Sequence, residues 1–191
     1  VWDLTDAYAT GRRGALRAWG LRRVRGRFKT WDRRTADRVT TFVANSTFTA
    51  ERIRTAYERD AIVVHPPVRT RFFTLDHTIE REDFLLVVSA LEPYKRVDLV
   101  IEAANRMNVP LELAGVGSQD AELRAIAGPS VTFHGRVDDA ALLSLYQRAR
   151  AFVFPQIEDF GITAVEAQAC GCPVIAQRAG GALDSVTEET G

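Results

Sequence analysis

Short apolar runs alternate with segments of helical periodicity from residue 39 onward. The run at 84–91 is almost continuously apolar, which is typical of a parallel strand covered on both faces. Further strands are predicted at 39–44, 61–64, 111–114, 131–134, 151–155 and 173–176. Helices are predicted between them at 47–59, 96–106, 120–127, 138–148 and 162–169, and an exposed loop at 69–83. Successive strand–helix units of this kind predict an α/β fold with an open, mostly parallel sheet and helices on both faces.

The first 38 residues differ from this pattern. Their aromatic and apolar side chains are spread among basic residues, which predicts a basic helical segment. We expect the segment to be broken at its glycines, Gly11, Gly14, Gly20 and Gly26. Residues 1–38 are therefore predicted to be the helical tail of a preceding domain with its linker. Residues 39–191 are predicted to form a second domain, truncated at its C-terminus, so that the chain is a fragment of a longer protein.

Charge is distributed unevenly along the chain. Residues 11–38 hold ten arginines and Lys29 against Asp32 and Asp37, whereas the formal net charge of the chain is zero. The zero net charge argues against a nucleic-acid partner. The basic segment has two interpretations: solvated helices that join two domains, or a surface attracted to an anionic membrane or a lipid-diphosphate acceptor.

The stretch from Glu158 to Glu166 carries the strongest chemical signal. Glu158 follows a predicted strand, and Glu166 lies about one turn into the next helix. Phe160, Gly161 and Ile162 span the helix start, where free backbone N–H groups attract anions. This combination suits a ligand with a diphosphate and several hydroxyls. The alternative is an ordinary capped helix, with Glu158 solvated and Glu166 on an exposed face.

Other candidate sites are weak. Cys170 and Cys172 lack a second pair for a zinc site, so we expect small, buried, reduced residues. His65, His77 and His134 are scattered singly, and structural roles are expected for them. Because no Asp-x-Asp sequence occurs, neither a metal ion nor another cofactor is expected.

The sequence E-D-F-G-I-T-A-V-E at 158–166 closely resembles the signature of glycosyltransferase family 4, retaining enzymes of the GT-B fold. Three other segments match in the family's order: 42–48 (F-V-A-N-S-T-F), 87–97 (V-V-S-A-L-E-P-Y-K-R-V) and 131–137 (V-T-F-H-G-R-V). The resemblance covers roughly residues 40–186 and is nearest to bacterial mannosyltransferases of polysaccharide synthesis. It implies a Rossmann-like, nucleotide-sugar-binding half of a GT-B fold.

The resemblance also implies roles for individual residues. Glu166 would hold the ribose hydroxyls, and Glu158 would face hydroxyls of the donor sugar. Lys95 would pair with the diphosphate, and Gly161 and Ile162 would offer amides to sugar or phosphate. Glu158 and Lys95 are thus the expected catalytic residues, and Phe160 lies among the donor-binding ones.

Two loops complete the implied donor site, and two positions depart from the family's pattern. Backbone groups of Gly135, Arg136 and Val137 would face the base. Arg136 is equally interpretable as a surface charge. Gly115 and Gly117 would border the cleft. Relatives often carry a second phosphate-binding Arg where this chain has Ala90. Either Arg96 takes over this task, or the diphosphate is held more weakly. Arg69 stands where relatives often have Asp, and we interpret it as a loop change without catalytic meaning.

The resemblance implies a retaining hexosyltransferase. Mannose from GDP-mannose is the expected donor sugar, a glycan or lipid-linked molecule the acceptor, and the preceding domain the acceptor-binding part. The 191 residues alone are expected to bind donor without transferring sugar. A cytoplasmic location is expected, peripheral at the inner face of the plasma membrane if residues 11–38 contact anionic lipid. The alternatives are another GT-B enzyme, such as a nucleotide-sugar epimerase, and a non-catalytic nucleotide-sugar-binding domain.

Overall fold

A computed structural model describes the backbone of residues 12–190 and the side chains of residues 24–190. The chain forms two compact units, one of Val1–Ala44 with Ala50–Val64 and the other of Asn45–Thr49 with His65–Gly191. The domain boundary predicted between residues 38 and 39 stays a prediction.

The first unit contains a long helix and a small parallel sheet. Its elements are α1 (Arg12–Ala36), β1 (Phe42–Ala44), most of α2 (Thr47–Tyr57) and β2 (Ala61–Val63). Strands β1 and β2 pair in parallel. The Tyr57 hydroxyl donates to Oδ2 of Asp32 at 3.0 Å, and the Phe42 and Tyr57 rings stack with centroids 5.5 Å apart. These contacts hold α1 and α2 against β1.

Helix α1 corrects one prediction. It runs without interruption through Gly14, Gly20 and Gly26, whereas breaks were expected at these residues. Gly11 lies outside the described residues. A glycine costs about 1 kcal/mol relative to Ala inside a helix, and the surrounding Arg, Leu and Ala residues favour the helix. A Cβ at Gly26 would meet no atom within 4 Å, so no close packing forces a bend there.

The second unit contains a five-stranded parallel sheet, as predicted. Its strands are β3 (Leu85–Val88), β4 (Leu111–Ala114), β5 (Val131–Gly135), β6 (Ala151–Phe154) and β7 (Val174–Ala176). The strand order is β5-β4-β3-β6-β7. The helices are α3 (Val97–Met107), α4 (Asp120–Ile126), α5 (Asp139–Arg148) and α6 (Ile162–Ala169).

Helices cover both faces of this sheet, and each face has its own core. On one face, α3 and α4 bury Ile101 and Leu123 together with Val87 of β3. On the other face, α5 and α6 pack against a core that contains Tyr146 and Leu86. Neighbouring residues of β3 thus enter opposite cores, which explains why its sequence is apolar almost throughout.

The strand order creates a crevice between β3 and β6. From β3 the chain proceeds to β4 and β5 on one side, and then returns to β6 on the other side of β3. At the carboxyl edge of the sheet, the chain therefore leaves β3 towards one side and leaves β6 towards the other. Ligands of open α/β sheets bind at such topological switch points.

The segment at 69–83 is a loop that is exposed over most of its length, as predicted, but it is fixed to the second unit at Phe73 and Arg81. Phe73 is fully buried and lies edge-on against Tyr146, with ring centroids 5.7 Å apart. The Arg81 guanidinium donates to the carbonyls of Tyr146, Gln147, Ala149 and Cys170. The Phe73 ring attaches this loop to the α5–α6 face. The Arg81 guanidinium does so too, because it donates to carbonyls at the ends of helices.

Polar side chains cap two helices, and the two cysteines are buried, as predicted. Oγ of Ser46 accepts from the Thr49 amide at 3.0 Å, and Oδ1 of Asp138 accepts from the Ala141 amide at 2.8 Å. Cys170 and Cys172 are both free and buried, and burial raises the pKa of their thiols to about 12 and about 11. Among the described residues, no helix is long and apolar enough to cross a membrane.

Candidate functional site

Lys95 and Glu158 meet at the switch point between β3 and β6. Lys95 ends a 3₁₀ turn (Pro93–Lys95) after β3, and Glu158 lies in the loop between β6 and α6. The Lys95 ammonium forms an ion pair with Oε1 of Glu158, and the two side chains are 14% and 25% exposed. Burial lowers the pKa of Lys95, because desolvation penalises its charged form. The pair offers one cation and one acceptor to a ligand in the crevice.

A second loop holds the Lys95 turn in place. The Glu92 carboxylate accepts from both the amide and the hydroxyl of Ser118, at 3.0 and 2.6 Å. These two bonds lower the pKa of Glu92, because they stabilise its ionised form. The Leu91 amide also donates to the Val116 carbonyl at 3.0 Å. The loops after β3 and β4 are therefore joined just before Lys95.

Gln156 is a site residue that the sequence analysis missed. It is 3% exposed, and its Nε2 donates to Oε1 of Glu158 at 3.2 Å, the same oxygen that Lys95 contacts. Its own Oε1 is buried without a hydrogen-bond partner. An unsatisfied buried acceptor costs about 1–3 kcal/mol. The signal was its position, since a polar residue immediately after a buried parallel strand lies at the ligand-binding edge.

The backbone of Glu158 is fixed by a turn that follows β7. The Gly181 amide donates to the Glu158 carbonyl at 2.8 Å. A Cβ on Gly181 would lie 2.1 Å from the Asp159 carbonyl oxygen, so only glycine permits this approach. The loop that carries Glu158 is therefore packed rather than free on the surface.

Helix α6 begins at the same edge of the sheet. Gly161 precedes it with φ +92°, in the left-handed region, and Ile162 is its first residue. Phe160 is 8% exposed and stacks on His65, with ring centroids 5.4 Å apart. The first amides of a helix lack partners within it, so they are available to an anion.

Glu166 is buried, and the alternative of an exposed glutamate is wrong. It is 7% exposed, and the hydroxyl of the fully buried Tyr146 donates to its Oε2 at 3.5 Å. Burial raises the pKa of Glu166, and the charge of Arg69 and the Tyr146 bond partly offset the effect. Tyr146 was not singled out from the sequence, because its spacing on α5 is that of a core residue.

The Arg69 side chain forms an ion pair with a residue of α5. Its guanidinium makes two hydrogen bonds to the Asp139 carboxylate, at 2.6 and 2.9 Å. These bonds lower the pKa of Asp139. The positive charge of Arg69 also lowers the pKa of Glu166 and so offsets part of the effect of burial, which its position in the sequence did not predict.

Arg96, the expected substitute for a second phosphate cation, engages a different partner. Its backbone is left-handed, with φ +52°, and its Nε lies 3.2 Å from Oδ1 of Asp98. The side chain is 50% exposed. Among the described residues, no hydrogen bond or ion pair joins the Arg96 side chain to the side chain of Lys95 or Glu158, and Ala90 is exposed. The assignment of Arg96 to phosphate stays a prediction.

The loops after β4 and β5 lie together. The Gly115 amide donates to the Gly135 carbonyl at 2.7 Å, and a Cβ on Gly115 would lie 1.8 Å from the Ser89 carbonyl oxygen. Likewise, a Cβ on Gly117 would lie 2.3 Å from the Leu91 carbonyl oxygen.

Two further residues expected near the base follow β5. Arg136 is exposed, whereas Val137 is half-buried against the α5–α6 core. No described contact connects these two residues, Gly115, Gly117 or Gly135 with Glu158 or Glu166. Their contact with a base therefore stays a prediction.

The side chains described from residue 24 onward include no group of three or more His, Cys, Asp or Glu residues that could hold a metal ion. Lys95 lies at the switch point, and the positive charge of Arg69 lowers the pKa of Glu166.

The second unit is an open α/β sheet with an ion pair, Lys95 and Glu158, at its topological switch point. Residues 73–191 match the family model for glycosyl transferases group 1. The chain therefore belongs to the group 1 glycosyltransferases, and the resemblance seen in the sequence is confirmed.

Relatives and solved structures agree with this family. The chain is 35% identical over 119 residues to a GDP-mannose-dependent phosphatidylinositol monomannoside mannosyltransferase of Corynebacterium glutamicum, covering 54% of this chain and 31% of that protein. It is 28% identical over 182 residues to a D-inositol 3-phosphate glycosyltransferase of Mycobacteroides abscessus, covering 83% of this chain and 41% of that protein. The chain thus spans less than half of these relatives.

The fold matches the crystal structure of Anabaena Alr3699/HepE in complex with UDP and glucose. The TM-score is 0.72 at 22% identity, over 84% of this chain and 50% of that chain. At this identity the match shows the fold alone, which is the predicted Rossmann-like half of a GT-B glycosyltransferase.

Proposed function

We propose that this chain is the donor-binding part of a retaining hexosyltransferase that uses GDP-mannose. The observation that carries the proposal is the Lys95–Glu158 pair at the switch point, next to the start of α6 and the buried Glu166. Family membership supports sugar transfer, and the GDP-mannose dependence named for the C. glutamicum relative supports the donor. The acceptor is a glycan or a lipid-linked molecule, bound by the whole protein.

Each group at the crevice has a part in this proposal. Lys95 and the amides at Gly161 and Ile162 hold the diphosphate and balance the negative charge that grows on it as the glycosidic bond breaks. Glu158 orients the sugar through its hydroxyls, and Glu166 accepts from the ribose diol. The acceptor attacks the same face of the sugar that the phosphate leaves, which retains the anomeric configuration without a protein nucleophile.

A calorimetric comparison of three donors tests this function. The protein is titrated with GDP-mannose, UDP-glucose and UDP-N-acetylglucosamine, each beside its free nucleoside diphosphate. We expect GDP-mannose to bind at least tenfold more tightly than the two UDP-sugars, about 1.4 kcal/mol. Preference for a UDP-sugar would contradict the proposed donor, and failure of all three to bind would contradict the proposed function.

The same titrations, run in EDTA and in Mg²⁺, test the metal-free diphosphate site. Because a lysine and helix amides supply the positive potential, we expect the two affinities to agree within about twofold. A tenfold gain from Mg²⁺ would show that a metal ion bridges the diphosphate. Diphosphate affinity should fall with added salt, since the contact is partly electrostatic.

We further propose that residues 11–38 contact an anionic membrane and place the whole protein peripherally at the cytoplasmic face of the plasma membrane. Helix α1 exposes Arg27, Lys29, Arg33 and Arg34, and its Trp31 is 62% exposed. Exposed basic residues with an exposed Trp suit a surface of anionic headgroups.

Sedimentation with lipid vesicles tests this contact. We expect the protein to sediment with vesicles containing phosphatidylglycerol and to remain in solution with pure phosphatidylcholine. Replacing Lys29, Arg33 and Arg34 by Gln removes about 1 kcal/mol per charge and should abolish binding. Replacing the exposed Arg106, Arg124 and Arg136 of the second unit is the matched control. Equal loss in both triple variants would show a non-specific effect of charge.

A further inference from the structure

Two donors converge on one oxygen of Glu158. The ammonium of Lys95 and Nε2 of Gln156 both contact Oε1, whereas Oε2 has no hydrogen-bond partner among the described residues. Gln156 is 3% exposed, so its amide is held in one place by the surrounding core. The carboxylate is therefore oriented, with one oxygen bound inside the protein and the other available.

The orientation of the Gln156 amide follows from charge. If its oxygen and nitrogen were exchanged, the amide oxygen would face the Glu158 carboxylate, and two acceptors would repel each other. The amide nitrogen must therefore face Glu158, and the amide oxygen is left buried without a partner. A residue that served packing alone would be better replaced by an apolar one of the same size.

We propose that Gln156 is a positioning residue for the donor sugar. Together with Lys95 it holds Oε1 of Glu158, so that Oε2 is the oxygen presented to a sugar hydroxyl. The inference rests on the proposed function, because it assumes that Glu158 meets the sugar. Gln156, two positions before Glu158, sets how tightly the sugar is bound and does not itself contact the nucleotide.

The variant Gln156→Met separates positioning from packing, because methionine has a similar length and no amide. The protein and the variant are titrated with GDP and with GDP-mannose. The dissociation constant of GDP divided by that of GDP-mannose measures the contribution of the sugar to affinity. We expect this ratio to fall about tenfold in the variant, while GDP binding changes less than twofold. The melting temperature should stay the same or rise, since a buried oxygen without a partner is removed.

A second variant and a matched control complete the experiment. Gln156→Glu places a second carboxylate beside Glu158 and should reduce the sugar contribution further, because like charges repel. Gln147→Met is the control, since Nε2 of Gln147 donates to the Thr74 carbonyl at 2.9 Å and does not contact Glu158. It should lower the melting temperature and leave the sugar contribution unchanged.

The outcomes distinguish this inference from the proposed function. If the unmodified protein binds GDP-mannose no better than GDP, the role of Glu158 in the proposed function is wrong. If the sugar contributes in the unmodified protein and equally in Gln156→Met, the positioning role is wrong. A lower melting temperature with parallel losses for GDP and GDP-mannose would show a packing role and would also overturn the inference.

Discussion

Replacing Glu166 by Gln is expected to weaken the binding of GDP about 10- to 150-fold and to raise the melting temperature of the protein without ligand. A hydrogen bond to a charged group contributes about 1.5–3 kcal/mol, and about 1.4 kcal/mol is a factor of ten. The stabilisation has a separate cause. The ionised Glu166 is 7% exposed, and its desolvation disfavours the folded state.

The pH dependence of this stabilisation follows from the raised pKa of Glu166. A carboxyl group whose pKa is higher in the folded than in the unfolded state binds its proton more tightly when folded. Its ionisation therefore costs stability as the pH rises through the interval between the two pKa values. We expect the melting temperature to rise by about 2–4 °C at pH 7.5, the shift that about 1 kcal/mol produces in a chain of this size, and the gain to shrink towards pH 4.

Calorimetry and thermal unfolding of Glu166→Gln measure the two effects, with Glu80→Gln as the control. Glu80 is an exposed carboxylate of the same unit, so its replacement should change neither quantity. A Glu166→Gln protein that melts at a lower temperature would show that the carboxylate stabilises the fold. Unchanged GDP affinity would show that Glu166 does not contact the ribose.

The sequence predicts the second unit well because its elements are short and clearly bounded. The bounds of β4 and α6 agree with the prediction at both ends, and β3 shows the apolar run of a strand covered on both faces. The local sequence predicts burial less well where a side chain is buried by residues that are distant in the chain. Phe73 is buried because it packs against Tyr146, which lies 73 positions further along the chain in the same core. No local pattern of 69–83 reveals this contact.

In the candidate site too, some features follow from neighbouring residues and others depend on contacts between residues that are far apart in the chain. The placement of Glu158 in a loop and Glu166 on a helix follows from the sequence between them. The ion pair of Lys95 with Glu158 joins residues 63 positions apart, and it depends on β3 and β6 being neighbours in the sheet. The burial of Glu166 and the amide of Gln156 likewise depend on packing across elements.

Replacing Glu158 by Gln is expected to strengthen the binding of free GDP about three- to tenfold while it weakens the additional affinity that mannose provides. A diphosphate must share the Lys95 ammonium with the Glu158 carboxylate, and a neutral Gln leaves that ammonium to the phosphates. The same change also removes a negative charge from the neighbourhood of an anionic ligand.

A double-mutant cycle with Lys95→Met identifies the source of this gain. Lys95→Met alone should weaken GDP about 10- to 150-fold, the loss of one hydrogen bond between charged groups, and should reduce the dependence of affinity on salt. If Glu158 acts by occupying the ammonium, Glu158→Gln should give no gain once Lys95 is absent. A gain that persists in the double variant would assign the effect to the charge of Glu158 alone. Weaker GDP binding in Glu158→Gln itself would mean that this carboxylate contacts the nucleotide rather than competing with it.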